Sequence, residues 1–396
     1  MTLMSVTDVR ASIESGVAPL AAETVSIFEA AGRVLAADLA ATLTQPPFSA
    51  SAMDGYAVRS IDIVSVPCVL KLIGRSVAGS AFDGAVGQKE AVRIFTGAPV
   101  PARADAVVIQ EKTRAIGDSA VEILERAPAG QFIRPRGYDF EKGDILLAAG
   151  TKLCSRELML AAAMNHATLP VRRKPVVAVL SNGDELVEPG EAPGASQIVS
   201  SIPAGLKAAI VAWGGETCLL PLARDAKASI EARVRDARDA DVLLTVGGAS
   251  VGEHDLVHDA LHGMGARFEV LRAAMRPGKA LMFGFLGEQR VLSVPGNPVS
   301  AVICARIFLK PLLDCLLGRA PADEPAVARL CAPVEANAER EHYMRAKRSP
   351  EGVSPVADQD SSLMKAFAKA DCLIVRPARA PALDVGALVP VIPFDF

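Results

Sequence analysis

The stretch that decides the fold reads KPVVAVLSNGDELVEPG, from Lys174 to Gly190. Its first half, VVAVLS (Val176 to Ser181), is an apolar, β-branched run of strand length that stops at a glycine-bearing turn carrying Asp184 and Glu185. Working outward, TCLLP (Thr217 to Pro221), VLLTV (Val242 to Val246), LMFGF (Leu281 to Phe285) and VLSV (Val291 to Val294) repeat the strand pattern. Between them Leu206, Ala209, Ile210 and Trp213 fall at helical spacing, as do Ile230, Val234 and Ala237. A last helix opens at Asn297, an N-cap residue followed by Pro298. Alternating strands and helices over residues 173–318 predict a doubly wound α/β domain around a mostly parallel sheet.

A chain of 396 residues exceeds one hydrophobic core, so further domains are expected. Residues 49–135, with short runs such as VRIF and AVVIQE between glycines and prolines, predict a small β domain. Residues 319–396 turn Pro-rich and end in VPVIPFDF, which suits a C-terminal, barrel-like β domain. Residues 1–48 and 136–172 carry helical periodicity and are expected to pack together as an elongated, helical or extended linker domain.

Composition narrows the function. The chain is 51% hydrophobic and 22% charged with net charge −3, and its basic residues are interleaved with acids, so it lacks the field that condenses onto nucleic acid. The first residues lack the basic-then-apolar order of a secretory signal. The longest apolar stretch, near Val299 to Leu317, is broken by Arg306, Lys310, Pro311 and Asp314. No membrane segment is expected. The seven cysteines are widely spaced and never C-x-x-C, as for buried thiols in a reducing cytoplasm.

In a doubly wound sheet, ligands bind at the carboxyl ends of strands. Three loops here fall at such ends: SNGDELVEPG after the first strand, TVGGASVGEHD after the third, SVPGNP after the fifth. Their glycines let backbone N–H groups approach an anion, although any tight strand-to-helix turn uses glycine. The turn MRPGKA adds Arg276 and Lys279, expected at the same end of the sheet. Backbone donors, two cations and the acids Asp184, Glu185, Glu253 and Asp255 suit a phosphorylated ligand with a divalent metal. Neither G-x-x-x-x-G-K-[ST] nor G-x-G-x-x-G after the first strand is present, which argues against a P-loop kinase or a dehydrogenase.

Together with SAMDGYAV (Ser51 to Val58) and RIFTGAPVP (Arg93 to Pro101), these loops resemble the molybdopterin molybdenumtransferase family, related to the gephyrin C-terminal domain. The motifs S-A-M-D-G-Y-A, T-G-A-P-V-P, G-D-E-L, G-G-x-S-x-G-x-x-D, P-G-K and P-G-N-P occur in the family's order over nearly the whole chain. The resemblance implies a cytoplasmic homodimer with a shared cleft that inserts molybdate into adenylylated molybdopterin and releases AMP. It implies catalytic roles for Asp54, Thr96, Glu185, Asp225 and Asp255, with Mg²⁺ on Glu185 and Asp255. Substrate binding would fall to Asp139, Ser181, Gly183, Asp184, Gly247, Gly248, Ser250, Gly252, Arg276, Lys279, Pro295, Gly296, Asn297, Pro298 and Ser361. Contacts with molybdopterin adenylyltransferase and with the receiving apoenzyme are implied as well.

Four places depart from the family pattern. Asn182 replaces a usual threonine, Ser200 to Ile202 stand where D-[ST]-N is usual, Arg276 replaces a lysine, and Asp360 precedes Ser361 where glycine is common. A scaffold protein, a catalytically diverged paralogue and the sister adenylyltransferase are the competing readings. Taken alone, Asp54 in its MDG turn is a turn former, and Asp225 reads equally as a helix N-cap. His254, His258 and His262 recur every four residues, but without the acid of H-E-x-x-H they read as solvated residues and not as zinc ligands.

Overall fold

The computed structural model describes residues 3–248, 256–320 and 325–396. The decisive stretch forms the middle of a six-stranded sheet. Strands β1 (Val176–Ser181), β2 (Glu216–Leu219), β3 (Val242–Val246), β4 (Arg267–Val270), β5 (Met282–Leu286) and β6 (Gln289–Val294) lie in the order β2-β1-β3-β6-β5-β4. The first four in that order are parallel. Alternate residues of β1 serve two cores. Val177 and Val179 face Leu206 and Ile210 of α1 (Ile202–Ala212) and its C-cap Trp213. Ala178 and Leu180 face Ile230 and Val234 of α2 (Lys227–Asp236) and Val257 and Leu261 of α3 (Leu256–Gly263). Burial on both faces explains why β1 and β3 are nearly continuous apolar runs, with only Ser181 and Thr245 polar. The last helix starts at Pro298 as expected: α4 (Pro298–Cys304) continues through a π turn at Ala305–Leu309 into α5 (Lys310–Leu316).

Two details refine the expected mostly parallel sheet and helical or extended linker. The LMFGF run forms β5, but antiparallel to β6, because Leu286 pairs with Gln289 and a two-residue loop cannot make a parallel crossover. Strand β4, antiparallel to β5, carried no clear sequence signal because Arg267 and Glu269 interrupt its short apolar pattern. Secondly, the helical periodicity near the N-terminus and between Pro135 and Pro170 is realised only in Val6–Glu14 and Ser155–Ala163. The remainder is largely extended: Ala22–Ser26 pairs with Thr168–Arg172, and Leu39–Ala40 with Ile145–Leu147. Its spaced apolar residues, among them Leu35, Phe140, Leu153 and Leu169, meet in a small separate core instead of on one helix face. The first helix buries Val6, Val9 and Ile13 in the α/β core.

The small β region is a six-stranded sheet with Gly55–Val58 between Ala106–Ile109 and Glu90–Ile94. Gly55 is required there, since a Cβ would sit 2.0 Å from the Val108 carbonyl oxygen. In the C-terminal sheet, Glu341–Ser349 pairs with Cys372–Arg376 and also, in parallel, with Met275–Arg276. The MRPGKA turn is thereby stitched to the C-terminal domain. No helix among the described residues is long and apolar enough to cross a membrane.

Candidate functional site

The chain runs from β1 out to β2 and then returns across β1 to β3, so the strand order switches between β1 and β3. Such a switch leaves a crevice at the carboxyl ends. Ser181 pairs with Val246 and Val246 with Val294, so β1, β3 and β6 finish level. Their loops surround a cleft of about 520 Å³, within the range of small-molecule sites. Of the expected residues, Ser181, Gly183, Glu185, Asp225, Gly247, Gly248, Pro295, Gly296 and Pro298 line it, together with the departures Asn182 and Ser200 to Ile202. The loops also touch one another: a Cβ on Gly247 would lie 3.4 Å from Asn182 Oδ1, and one on Gly296 3.4 Å from Gly247 Cα. Gly247 and Gly248 adopt φ of 92° and 62°, where a side chain is strained.

The acids Asp184 and Asp225 are held by one side-chain donor and two backbone donors. Asn182 Nδ2 donates to Asp225 Oδ1 at 2.9 Å, and the Asp184 N–H donates to Asp225 Oδ2 at 3.3 Å. In return the Asp225 N–H donates to Asp184 Oδ1 at 3.3 Å. Asp225 is therefore no helix cap; α2 begins at Lys227 and its N-cap is Ala226. Asp184 braces the loop without lining the cleft. Glu185 folds over Gly183, where an added Cβ would lie 2.5 Å from its Oε2. Ser181 Oγ, Asn182 Oδ1 and Asn297 Oδ1 are buried and make no hydrogen bond among the described residues.

At the start of α4, Asn297 makes no side-chain capping bond. Pro298 has no N–H, and the Val299 N–H donates to the Ser361 carbonyl at 3.2 Å. Ser361 thus reaches the P-G-N-P loop from the C-terminal domain. Sequence reasoning missed what holds it there. Arg345, 1% exposed, donates from Nη1 to the Asp360 carbonyl at 2.7 Å and from Nη2 to the Asp358 carbonyl at 3.2 Å. An arginine within a strand gives no sequence signal of such burial. Asp360, the residue in place of glycine, accepts from the Ser362 N–H and Oγ and forms a tight turn.

Other expected residues lie away from the cleft. Arg276 and Lys279 do not line it; Arg276 sits in the edge strand opposite His342, and the Lys279 carbonyl accepts from the Ala273 N–H. Asp54 and Thr96 belong to the small β region. Asp54 Oδ1 accepts from the Thr96 N–H and from Thr96 Oγ1, each at 2.7 Å. Those two bonds, and behind them the charge of Arg93, hold the Asp54 carboxyl below the ordinary carboxylate range. Asp139 lines a second hollow of about 580 Å³ with Pro46, Phe48, Gly97, Arg134 and Tyr138. His258 stacks on His262 and on Phe268. Ser250, Gly252, Glu253, His254 and Asp255 lie outside the described residues.

Three family models match the chain in succession: the MoeA N-terminal region (domain I and II) over residues 4–165, the "Probable molybdopterin binding domain" over 178–314, and the MoeA C-terminal region (domain IV) over 327–394. The molybdopterin molybdenumtransferase of Haemophilus influenzae is 34% identical over 391 residues, covering 95% of each chain. That of Synechococcus elongatus is 35% identical over 387 residues, covering 94% of each. A crystal structure of the molybdopterin biosynthesis MoeA protein from Pyrococcus horikoshii superposes with a TM-score of 0.85 at 30% identity over 99% of both chains.

Proposed function

Because this chain belongs to the molybdopterin molybdenumtransferase (MoeA) family and serves molybdenum cofactor biosynthesis, we propose that it transfers molybdate to adenylylated molybdopterin with release of AMP. The observation that carries this reading is the cleft at the strand switch point, walled by three level glycine loops and floored by Ser181 and Asn182. Backbone N–H groups there suit phosphate oxygens, while apolar Leu186, Ile198 and Val246 give a planar ring a face to rest on. The match to transferases along the whole chain leaves the scaffold reading without support.

The described residues contain no cluster of three or more His, Cys, Asp or Glu arranged to hold a metal ion. Glu185 in the cleft still fits Mg²⁺, which is commonly held by one or two carboxylates plus substrate phosphates and water. Bound there, Mg²⁺ would neutralise charge building on the departing AMP phosphate. Asp225 accepts one hydrogen bond on each oxygen and also lines the cleft, so it braces the loop while keeping acceptor capacity for a ligand. Asp54, Thr96 and Asp139 do not line the cleft, and a second copy of the chain that brings them to it completes the reading as a homodimer.

The test is direct. Purified protein with Mg²⁺, molybdate and adenylylated molybdopterin should release AMP and yield a cofactor that activates a molybdenum apoenzyme. Tight pterin binding without AMP release would overturn the proposal and favour a diverged paralogue. Glu185→Gln should reduce turnover on the order of a hundred-fold, as expected for loss of one transition-state electrostatic contact.

A further inference from the structure

We propose that Arg93 is a positioning residue, which fixes the orientation of Asp54 by closing a ring of hydrogen bonds around the Asp54–Gly55 peptide. The inference rests on the reading of Asp54 as a site residue. Arg93 lies on the Glu90–Ile94 strand, directly opposite Tyr56. Its Nη1 donates to the Gly55 carbonyl at 3.1 Å and its Nη2 to Gln110 Oε1 at 2.7 Å. The Gln110 N–H in turn donates to the Asp54 carbonyl at 3.1 Å. The guanidinium carbon lies 5.0 Å from the Tyr56 ring centre and 4.9 Å from that of Phe95. Two rings and two hydrogen bonds leave the plane of the fork little freedom.

Thr96 leaves the same strand three residues later and binds the Asp54 carboxylate through Oδ1. One segment therefore holds Asp54 twice, by its side chain through Thr96 and by its backbone through Arg93 and Gln110. Oδ1 carries both Thr96 bonds, so Oδ2 is the oxygen left to meet a ligand. Its direction is set by the ring. Lysine can supply the charge at this place but not two divergent donors in one plane.

The experiment uses the whole chain as wild type, Arg93→Gln, Arg93→Lys and Gln110→Ala. The readouts are kcat and KM for AMP release and the ¹³C titration of the Asp54 carboxyl, identified by its loss in Asp54→Asn. For Arg93→Gln, kcat should fall about tenfold or more with KM within about twofold, as for a displaced catalytic group, and the Asp54 titration should move to higher pH. Arg93→Lys should recover only part of kcat. Unchanged kcat and titration in Arg93→Gln would overturn the proposal, and so would a rise in KM alone, which would mean that Arg93 meets substrate itself. If Arg93→Gln fails to fold, Gln110→Ala decides: a lowered kcat supports the ring, and an unchanged kcat overturns it. If the wild type releases no AMP, the functional reading fails, while the Asp54 titration in Arg93→Lys, which keeps the charge, still decides: a shift supports positioning, and an unchanged titration overturns it.

Discussion

Asn182 donates its side-chain amide to Asp225 Oδ1, and a threonine there lacks an amide arm to do so. The departure at this position thus changes how a neighbouring loop is held and leaves the glycine geometry of the cleft intact. Asn182→Thr should lower stability by about 0.5–1.5 kcal/mol, the usual net worth of one hydrogen bond, measured as a fall in the urea midpoint at constant slope. Asp225→Ala removes the acceptor for both Asn182 and the Asp184 N–H, so its loss should be larger and hydrogen exchange at the Asp184 amide should accelerate. Equal stability of Asn182→Thr and wild type would show that the clasp contributes nothing. This clasp was not legible in the sequence, because its partners lie 43 residues apart and meet only once β2 lies beside β1. Gly247, Gly248 and Gly296 were legible, since a level strand end that nears a ligand leaves little choice of residue.

Among elements, the edge strand Met275–Arg276 has the least expected partner, the C-terminal strand that carries His342 and Arg345. His342 is buried there, and burial first, then the charges of Arg276, Arg345, Arg340 and Arg376, lower its pKa to about 4. A folded pKa below the unfolded value near 6.5 means that the unfolded chain binds the extra proton first. The stabilisation is complete above about pH 6.5 and is lost as pH falls toward 4. Its size is on the order of 2 kcal/mol after allowing for water around the arginine heads. Urea midpoints of the wild type should therefore fall between pH 6.5 and 4.5 more steeply than those of His342→Gln; parallel profiles would remove His342 from the acid sensitivity. The MRPGKA turn was visible as a cationic motif, but its pairing with a strand more than sixty residues later was not, because edge pairing depends on backbone hydrogen bonds that any sequence supplies. The parallel strands were readable because burial on both faces demands nearly continuous apolar runs. The linker strands misled because short extended segments around a small core can mimic helical spacing.

At the scale of the molecule, the α/β and C-terminal domains share one core in which Tyr343, Leu373 and Ile392 pack with the residues around β1 and β3. Asp395 strengthens that junction: it accepts from the Trp213 indole N–H at 3.0 Å and pairs with Arg306 at 3.1 Å. Among the described residues the small β sheet shares neither that core nor the cleft, and its own cores are separate. Asp54 and Glu185 can serve one reaction within a single chain only if the small domain closes onto the cleft; in a homodimer each cleft takes Asp54 from the other copy. The two cases differ in how inactive variants combine. Asp54→Asn and Glu185→Gln should each be nearly inactive alone. Co-expressed in equal amounts with random pairing, half of the dimers are mixed, and each mixed dimer has one intact site of two. A shared cleft should therefore restore about a quarter of wild-type AMP release. Sites built within one chain would stay silent in the mixture, because every site would carry one lesion. Sedimentation of the mixture identifies the dimer, so a silent mixture that is fully dimeric would reject the shared cleft without rejecting the dimer.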